Sequence, residues 1–183
     1  LEQYPDGTLF VDLFGGSGLL SHITKSLKPH STVIYNDFDN YRFRMKHIPQ
    51  TNQLLADIRE MVGNSVPRHK IIKGELRERI FSRIEQEENS TGYVDFITLS
   101  SSILFSMKYK LSVQDMRKEA LYNNIRKTGY PECTDYLEGL EIVSCDYKEV
   151  FNRYKDIPGV VFLVDPPYLS TDVGTYNMYW NMA

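Results

Sequence analysis

Two clusters of residues have the types and spacing to do chemistry. Near the end of the chain, the apolar run Val160-Val161-Phe162-Leu163-Val164 leads directly into Asp165-Pro166-Pro167-Tyr168. Each proline fixes its own φ and pushes the preceding residue out of the helical region, so these four residues form a stiff extended corner. Such a corner suits atoms that must be held still. Near the start, Thr8-Leu9-Phe10-Val11-Asp12-Leu13-Phe14 runs into Gly15-Gly16-Ser17-Gly18. Glycines let the backbone turn tightly and let a ligand approach, and a following helix presents N–H groups to an anion. Asp37 stands about 20 residues beyond the glycines, where an acid at the end of a second strand binds ribose hydroxyls. A nucleotide-like ligand follows. A pyrophosphate would use the helix N-terminus, whereas S-adenosylmethionine would place a carboxylate there and its ammonium near Asp12; Asp12 leans toward the methyl donor.

The elements that must position these residues are legible from composition. Residues 8–14 and 32–35 read as strands, 19–27 as a helix stopped before Pro29, 141–145 as a strand presenting Asp146-Tyr147, 148–154 as a helix, and 158–165 as the closing strand. The strands are apolar enough for a parallel sheet, whose ligands sit outside the carboxyl ends. Three strand ends, at Asp12 with Gly15, at Asp37 and at Asp146, would line one site, with Asp165 beside it. Between them, residues 45–140 change character. Segments 53–61, 73–88 and 112–127 read as helices, joined by polar connectors, and Val94 to Leu99 with Ile103-Leu104-Phe105 supply a small core. A crossover needs only a dozen or so residues, so this segment is an insertion in a domain formed by 1–44 and 141–183. Inserted modules commonly carry partner recognition.

The chain has 183 residues, 42% of them hydrophobic, enough for a real core in one domain with an insertion. Its net charge of -3 argues against a uniformly basic nucleic-acid coat but leaves room for a local basic face. Two such clusters lie in the insertion. Arg68, His69, Lys70 and Lys73 stand with Arg77, Arg79 and Arg83; Lys108, Tyr109 and Lys110 stand with Arg117, Lys118, Arg126, Lys127 and Tyr130. Acidic neighbours such as Glu75, Glu78, Asp115 and Glu119 dilute both. Lys108, Lys110, Arg117, Lys118, Arg126 and Lys127 are the candidate phosphate contacts. Cys133 and Cys145 have neither metal-ligand nor disulfide spacing, so no metal is expected, and plain thiols fit a reducing cytosol. There is no signal peptide pattern and no apolar run of spanning length, so a soluble cytoplasmic protein with no membrane partner is expected.

The order of the two clusters carries a resemblance. Phe10-Val11-Asp12-Leu13-Phe14-Gly15-Gly16-Ser17-Gly18, followed downstream by Asp165-Pro166-Pro167-Tyr168 and then Leu169-Ser170-Thr171-Asp172 with Tyr176, closely resembles the Dam-like DNA adenine-N6 methyltransferases. The resemblance covers essentially the whole chain, strongly in the strands and weakly in the insertion. It implies an α/β, Rossmann-like S-adenosylmethionine methyltransferase sheet with a helical target-recognition insert, a double-stranded DNA partner, and a bacterial or phage-type setting. Carried over by position, Asp12, Phe14, Gly15, Gly16 and Gly18 would hold the methionine part of the cofactor. Asp37 and Phe38 would take the ribose and adenine, and Asp146 with Tyr147 would reach the cofactor's adenine. The Asp165 carboxylate and Pro166 carbonyl would each accept an N6–H bond, localising a lone pair that ring delocalisation otherwise makes a poor nucleophile. A duplex base cannot reach such a site unless it is flipped out, and Tyr168 would stack on it.

Residues 1–7 show no Gly-Lys segment of the family kind, and Leu104-Phe105-Ser106-Met107-Lys108-Tyr109 stands where the family often has an aromatic-Asn-Gly turn. The family's later strands do not follow Tyr168, so the chain is expected to be a piece with those strands missing, its closing strand a sheet edge, and its own activity weak. Three other readings compete: RNA adenine or cytosine-N4 transfer, a non-catalytic nucleic-acid-binding module, and a dinucleotide oxidoreductase. Asp at the first tetrapeptide position favours adenine over cytosine.

Overall fold

The computed structural model describes residues 1–105, 108–133 and 135–166. In chain order the elements are β1 (Leu9–Asp12), α1 (Leu19–Leu27), β2 (Thr32–Asn36), α2 (Tyr41–Lys46), α3 (Ile48–Val62), β3 (Ile71–Ile72), α4 (Gly74–Thr91), α5 (Phe96–Ile103), α6 (Val113–Met116), β4 (Leu121–Tyr122), β5 (Glu141–Val143), α7 (Tyr147–Tyr154) and β6 (Val161–Leu163). They divide into a sheet unit, Leu1–Lys46 with the chain from Cys133 onward, and an inserted unit, His47–Glu132. Residues 133–140 therefore belong with the sheet, although their polar sequence groups them with the insertion.

The sheet unit is a parallel four-stranded sheet of order β5-β2-β1-β6, the mixed α/β arrangement of a Rossmann-like methyltransferase fold. Its two central strands carry the most apolar runs because both faces are covered: Phe10, Val11, Val33, Ile34 and Tyr35 are all buried. α1 packs on β1 and β2 through small residues, Ser21 and Thr24, while Leu19, Leu20, Ile23 and Leu27 stay exposed. Among the described residues β6 has no strand on its outer side.

The inserted unit has its own hydrocarbon core. Leu54, Leu55, Ile58 and Val62 of α3 meet Ile80, Phe81 and Ile84 of α4 and Leu99 and Ile103 of α5. α3 starts ahead of the expected 53–61, with Pro49 in its first turn, where a missing N–H costs nothing, and ends at Gly63. Asp95 caps α5, its carboxylate accepting from Thr98 N at 3.0 Å and from Thr98 Oγ1 at 2.7 Å. Phe105, expected in this core, is 59% exposed.

The helix expected over 112–127 does not form. Ser112 caps a single turn, α6, and the chain then leaves the helical path as β4, which pairs antiparallel with β3. Of the apolar series, Val113 and Met116 are buried from α6, Leu121 from β4 and Ile125 from the stretch after it, while Ala120 is exposed. The pairing with Ile71 and Ile72 decides it. Asn123 and Asn124 are weak helix formers, and the Asn123 amide donates to the Val66 carbonyl at 2.6 Å, a bond that a helix would forfeit.

Candidate active site

β1 ends at Asp12 and β6 runs beside it in register, Asp12 opposite Leu163, with Leu13 N donating to the Leu163 carbonyl at 3.2 Å. Parallel pairing thus brings residues 12–14 and 164–166 to the same end of the sheet. β2 and β5 deliver Asp37 and Asp146 to that end as well.

Asp12 is 1% exposed. Its Oδ2 accepts from Ser21 Oγ at 2.7 Å, whereas Oδ1 is buried with no hydrogen-bond partner among the described residues. Burial pushes its carboxyl up to about 6; the Ser21 hydroxyl and the backbone N–H groups of Phe14 and Ser21 oppose the rise, and the nearby Asp165 charge adds to it. A buried acceptor in that state calls for a cationic donor.

The glycine-rich turn is shaped by its floor. A Cβ on Gly15 would stand 2.3 Å from Tyr35 Cε2 and 2.7 Å from the Asn36 carbonyl, so no side chain fits. Gly18, at φ 77°, starts α1 with no side-chain cap. The Gly16 carbonyl accepts from the Tyr35 hydroxyl, 2.8 Å away. These features suit the amino-acid end of S-adenosylmethionine: Asp12 would take the ammonium and the α1 N-terminus the carboxylate. The residues present therefore fit the cofactor.

Asp37 is more committed than its position implied. It is 4% exposed, and its Oδ1 accepts from Tyr41 N at 2.5 Å and stands 3.0 Å from the Tyr35 hydroxyl, while Oδ2 accepts from Arg42 N at 3.2 Å. Its carboxylate caps α2 and anchors the floor of the glycine turn. Phe38 beside it is half-buried. Asp146 likewise caps a helix, Oδ1 accepting from Lys148 N at 2.8 Å. Tyr147 meets Phe14 ring to ring, centroids 4.9 Å apart. With Leu13, Phe151 and Val164 the pair lines an apolar pocket of about 310 Å³. Asp165 is exposed and Pro166 half-buried; Pro167 and Tyr168 lie outside the described residues.

Three residues not singled out from the sequence build the site. Asn36, 1% exposed, donates from Nδ2 to the carbonyls of Leu13 (3.0 Å) and Cys145 (2.9 Å) and accepts from Cys145 N at 3.1 Å, tying the ends of β1, β2 and β5 together. Tyr35 joins the glycine turn to Asp37. Ser21 holds Asp12. An amide at a strand end next to an acid was the available signal for Asn36; nothing local marks the other two. Residues 136 and 137 also return to the glycine turn: the Tyr136 ring stacks on His22 at 4.3 Å, and Leu137 Cδ2 lies 2.7 Å from where a Cβ of Gly18 would stand.

The candidate phosphate contacts of the inserted unit are not equivalent. Lys108 and Lys110 both pair with Glu119, at 2.5 and 3.1 Å. Arg117 pairs with Glu78 and Glu85, at 2.7 and 2.9 Å, and Lys118 with Asp115 at 2.7 Å. Arg126 stacks over the Tyr130 ring, 4.2 Å from its centroid, and it and Lys127 are exposed.

No helix among the described residues is long and apolar enough to cross a membrane. The family of D12 class N6 adenine-specific DNA methyltransferases matches the chain over residues 1–183. A Haemophilus influenzae protein named "Putative methyltransferase" is 39% identical over 172 residues, which cover 94% of this chain and 57% of that protein. The chain thus spans a little over half the length of that relative. No solved structure matches. The chain belongs to the D12 class N6 adenine-specific DNA methyltransferase family.

Proposed function

We propose that the protein transfers a methyl group from S-adenosylmethionine to the N6 of an adenine flipped out of double-stranded DNA. The observation that carries this reading is the placement of Asp12, with its orphaned Oδ1, on the strand beside the one that leads to Asp165. One acid is buried with one carboxylate oxygen unsatisfied, ready for a cation; the other stands exposed, within reach of a base. S-adenosylmethionine, when bound, supplies an electrophilic methyl on a sulfonium. Asp12 fixes the ammonium, and the Phe14 and Tyr147 rings give the site an apolar wall. Asp165 and the Pro166 carbonyl accept the two N6–H bonds, which turns the nitrogen lone pair out of conjugation and aims it; the displaced N6 proton leaves toward the Asp165 side. Tyr168 stacks on the extruded ring. The inserted unit reads the target, and a DNA substrate puts the working protein with the genome in the cytoplasm.

Labelled S-adenosylmethionine offered with adenine- and cytosine-bearing DNA and RNA oligonucleotides tests this. Label is expected at adenine N6 of duplex DNA. Label in cytosine, or only in RNA, would overturn it.

A further inference from the structure

The cations of the inserted unit fall into two sets. One set is already neutralised by carboxylates: Lys108, Lys110, Arg117 and Lys118 as above, Arg77 by Glu78, and Arg83 by Asp57 and Glu87. The Glu78, Asp115 and Glu119 carboxyls are held below their ordinary range by these partners. The other set flanks the strand pair β3–β4. Residues 61–74 and 120–131 contain no Asp or Glu, yet carry Arg68, His69, Lys70, Lys73, Arg126 and Lys127. In a chain of net charge -3 this is a marked local excess.

Folding makes the two stretches one surface. Beyond the ladder between β3 and β4, His69 N donates to the Asn123 carbonyl at 3.1 Å and Asn123 N to the Lys70 carbonyl at 2.9 Å. Arg68 Nη1 donates to the Ile125 carbonyl, and His69 Nδ1 lies 2.9 Å from Asn124 Oδ1. Arg59, from α3, backs the ribbon by donating to the carbonyls of Arg126 and Lys127. Arg68, Lys70, Lys73, Arg126 and Lys127 are exposed, and among the described residues none is in an ion pair.

We propose that this acid-free ribbon, and not the ion-paired cluster at 108–118, is the surface of the inserted unit that grips the phosphodiester backbone of DNA. The proposal rests on the reading of the protein as a DNA methyltransferase and names the phosphate-contacting part of it. An unpaired exposed cation releases DNA counterions on contact at no cost in protein ion pairs, whereas Lys108 or Arg117 would first have to leave its carboxylate. The contacts are to phosphate and position the duplex; they carry no base sequence.

The test is the salt dependence of binding to a short adenine-containing duplex, read beside methyl transfer to the same duplex. The triple variant K70Q/R126Q/K127Q is expected to bind DNA at least about tenfold more weakly at moderate salt, with a log-log salt slope shallower by about 2 to 3. Its S-adenosylmethionine affinity and its melting temperature stay at wild-type values, and lysine in place of glutamine at position 126 of that variant restores about one of the lost units of slope. Removing Lys108 and Lys118 by glutamine substitution leaves the slope within about one of wild type. A triple variant with the wild-type slope, in a protein that methylates the duplex, would sink the ribbon and leave the enzyme reading standing. A wild-type protein that methylates no duplex would sink the enzyme reading first, and this surface with it.

Discussion

The two units differ in whether every buried polar side chain finds a partner among the described residues. The inserted unit buries Asp95, Ser100, Ser102 and Asn123, and each finds a partner within a turn or across a strand: Asp95 caps α5, Ser100 and Ser102 donate to carbonyls on their own helix, and Asn123 donates to Val66. The sheet unit buries Asp12 and Ser31 with Oδ1 and Oγ lacking any partner among the described residues. Buried polar groups are almost always paired; Ser31 lies ahead of β2, at the opposite end of the sheet, so it is the Asp12 oxygen at the carboxyl end of β1 that marks where a ligand completes the structure. One unit is finished by its own atoms. The other is finished by what it binds.

The sharpest way to break that comparison is Asp165→Ala. Loss of about a thousandfold in methyl transfer is expected with cofactor affinity within a few-fold of wild type, measured by single turnover and by direct binding. A comparable loss of cofactor affinity would move Asp165 into the cofactor's half of the site.

Asp12→Asn comes next. The Asp12 carboxyl sits at about 6 in the folded protein against 3.8 for the ordinary group. Between those values the folded state holds a proton that the unfolded state has released, so stability of the cofactor-free protein declines as pH rises through this window. The decline is on the order of 3 kcal/mol. Asn has no such titration. Denaturant midpoints of the two proteins should diverge from pH 4 to 6 in favour of the variant. Cofactor affinity of the wild type should rise over the same window as the carboxylate ionises, and the variant should bind about 10- to 100-fold more weakly at neutral pH. Parallel stability curves would mean that Asp12 already has its partner.

Asp95→Ala gives the smallest effect and the opposite sign. Removing a satisfied helix cap costs about 0.5 to 2 kcal/mol of stability, with no change in cofactor affinity. An acid whose loss stabilises and an acid whose loss destabilises would then distinguish the two units in one pair of melts.

Much of this was legible before any coordinates. Strand, glycine turn, helix, and strand again in residues 8–36 follow local rules of propensity and turn chemistry, and the structure keeps them nearly to the residue. What failed was long-range. Residues 112–127 have helical periodicity, yet five of them, Leu121 to Ile125, pair or hydrogen-bond with a segment some fifty residues away. Asp37 stands at the position of a ribose acid, but only the fold shows its oxygens occupied by Tyr41 N, Arg42 N and the Tyr35 hydroxyl. The acids that dilute the cation clusters stand in the sequence, but only the fold assigns the pairs: Lys110 with Glu119, Arg117 with Glu78 and Glu85, and Lys118 with Asp115.

By itself the sequence determined the chemistry on offer: two acids, a glycine turn and a stiff proline corner, in an order that only a small class of enzymes shares. Those features are local, written in residue type and in spacings shorter than one turn or strand. Only the tertiary structure decided which polar atoms are already satisfied. That depends on partners brought close by the chain's return, such as Ser21 for Asp12, Asn36 for the strand ends and Asn123 for the ribbon. A hydrogen bond is spent once, and spacing along the chain does not reveal where.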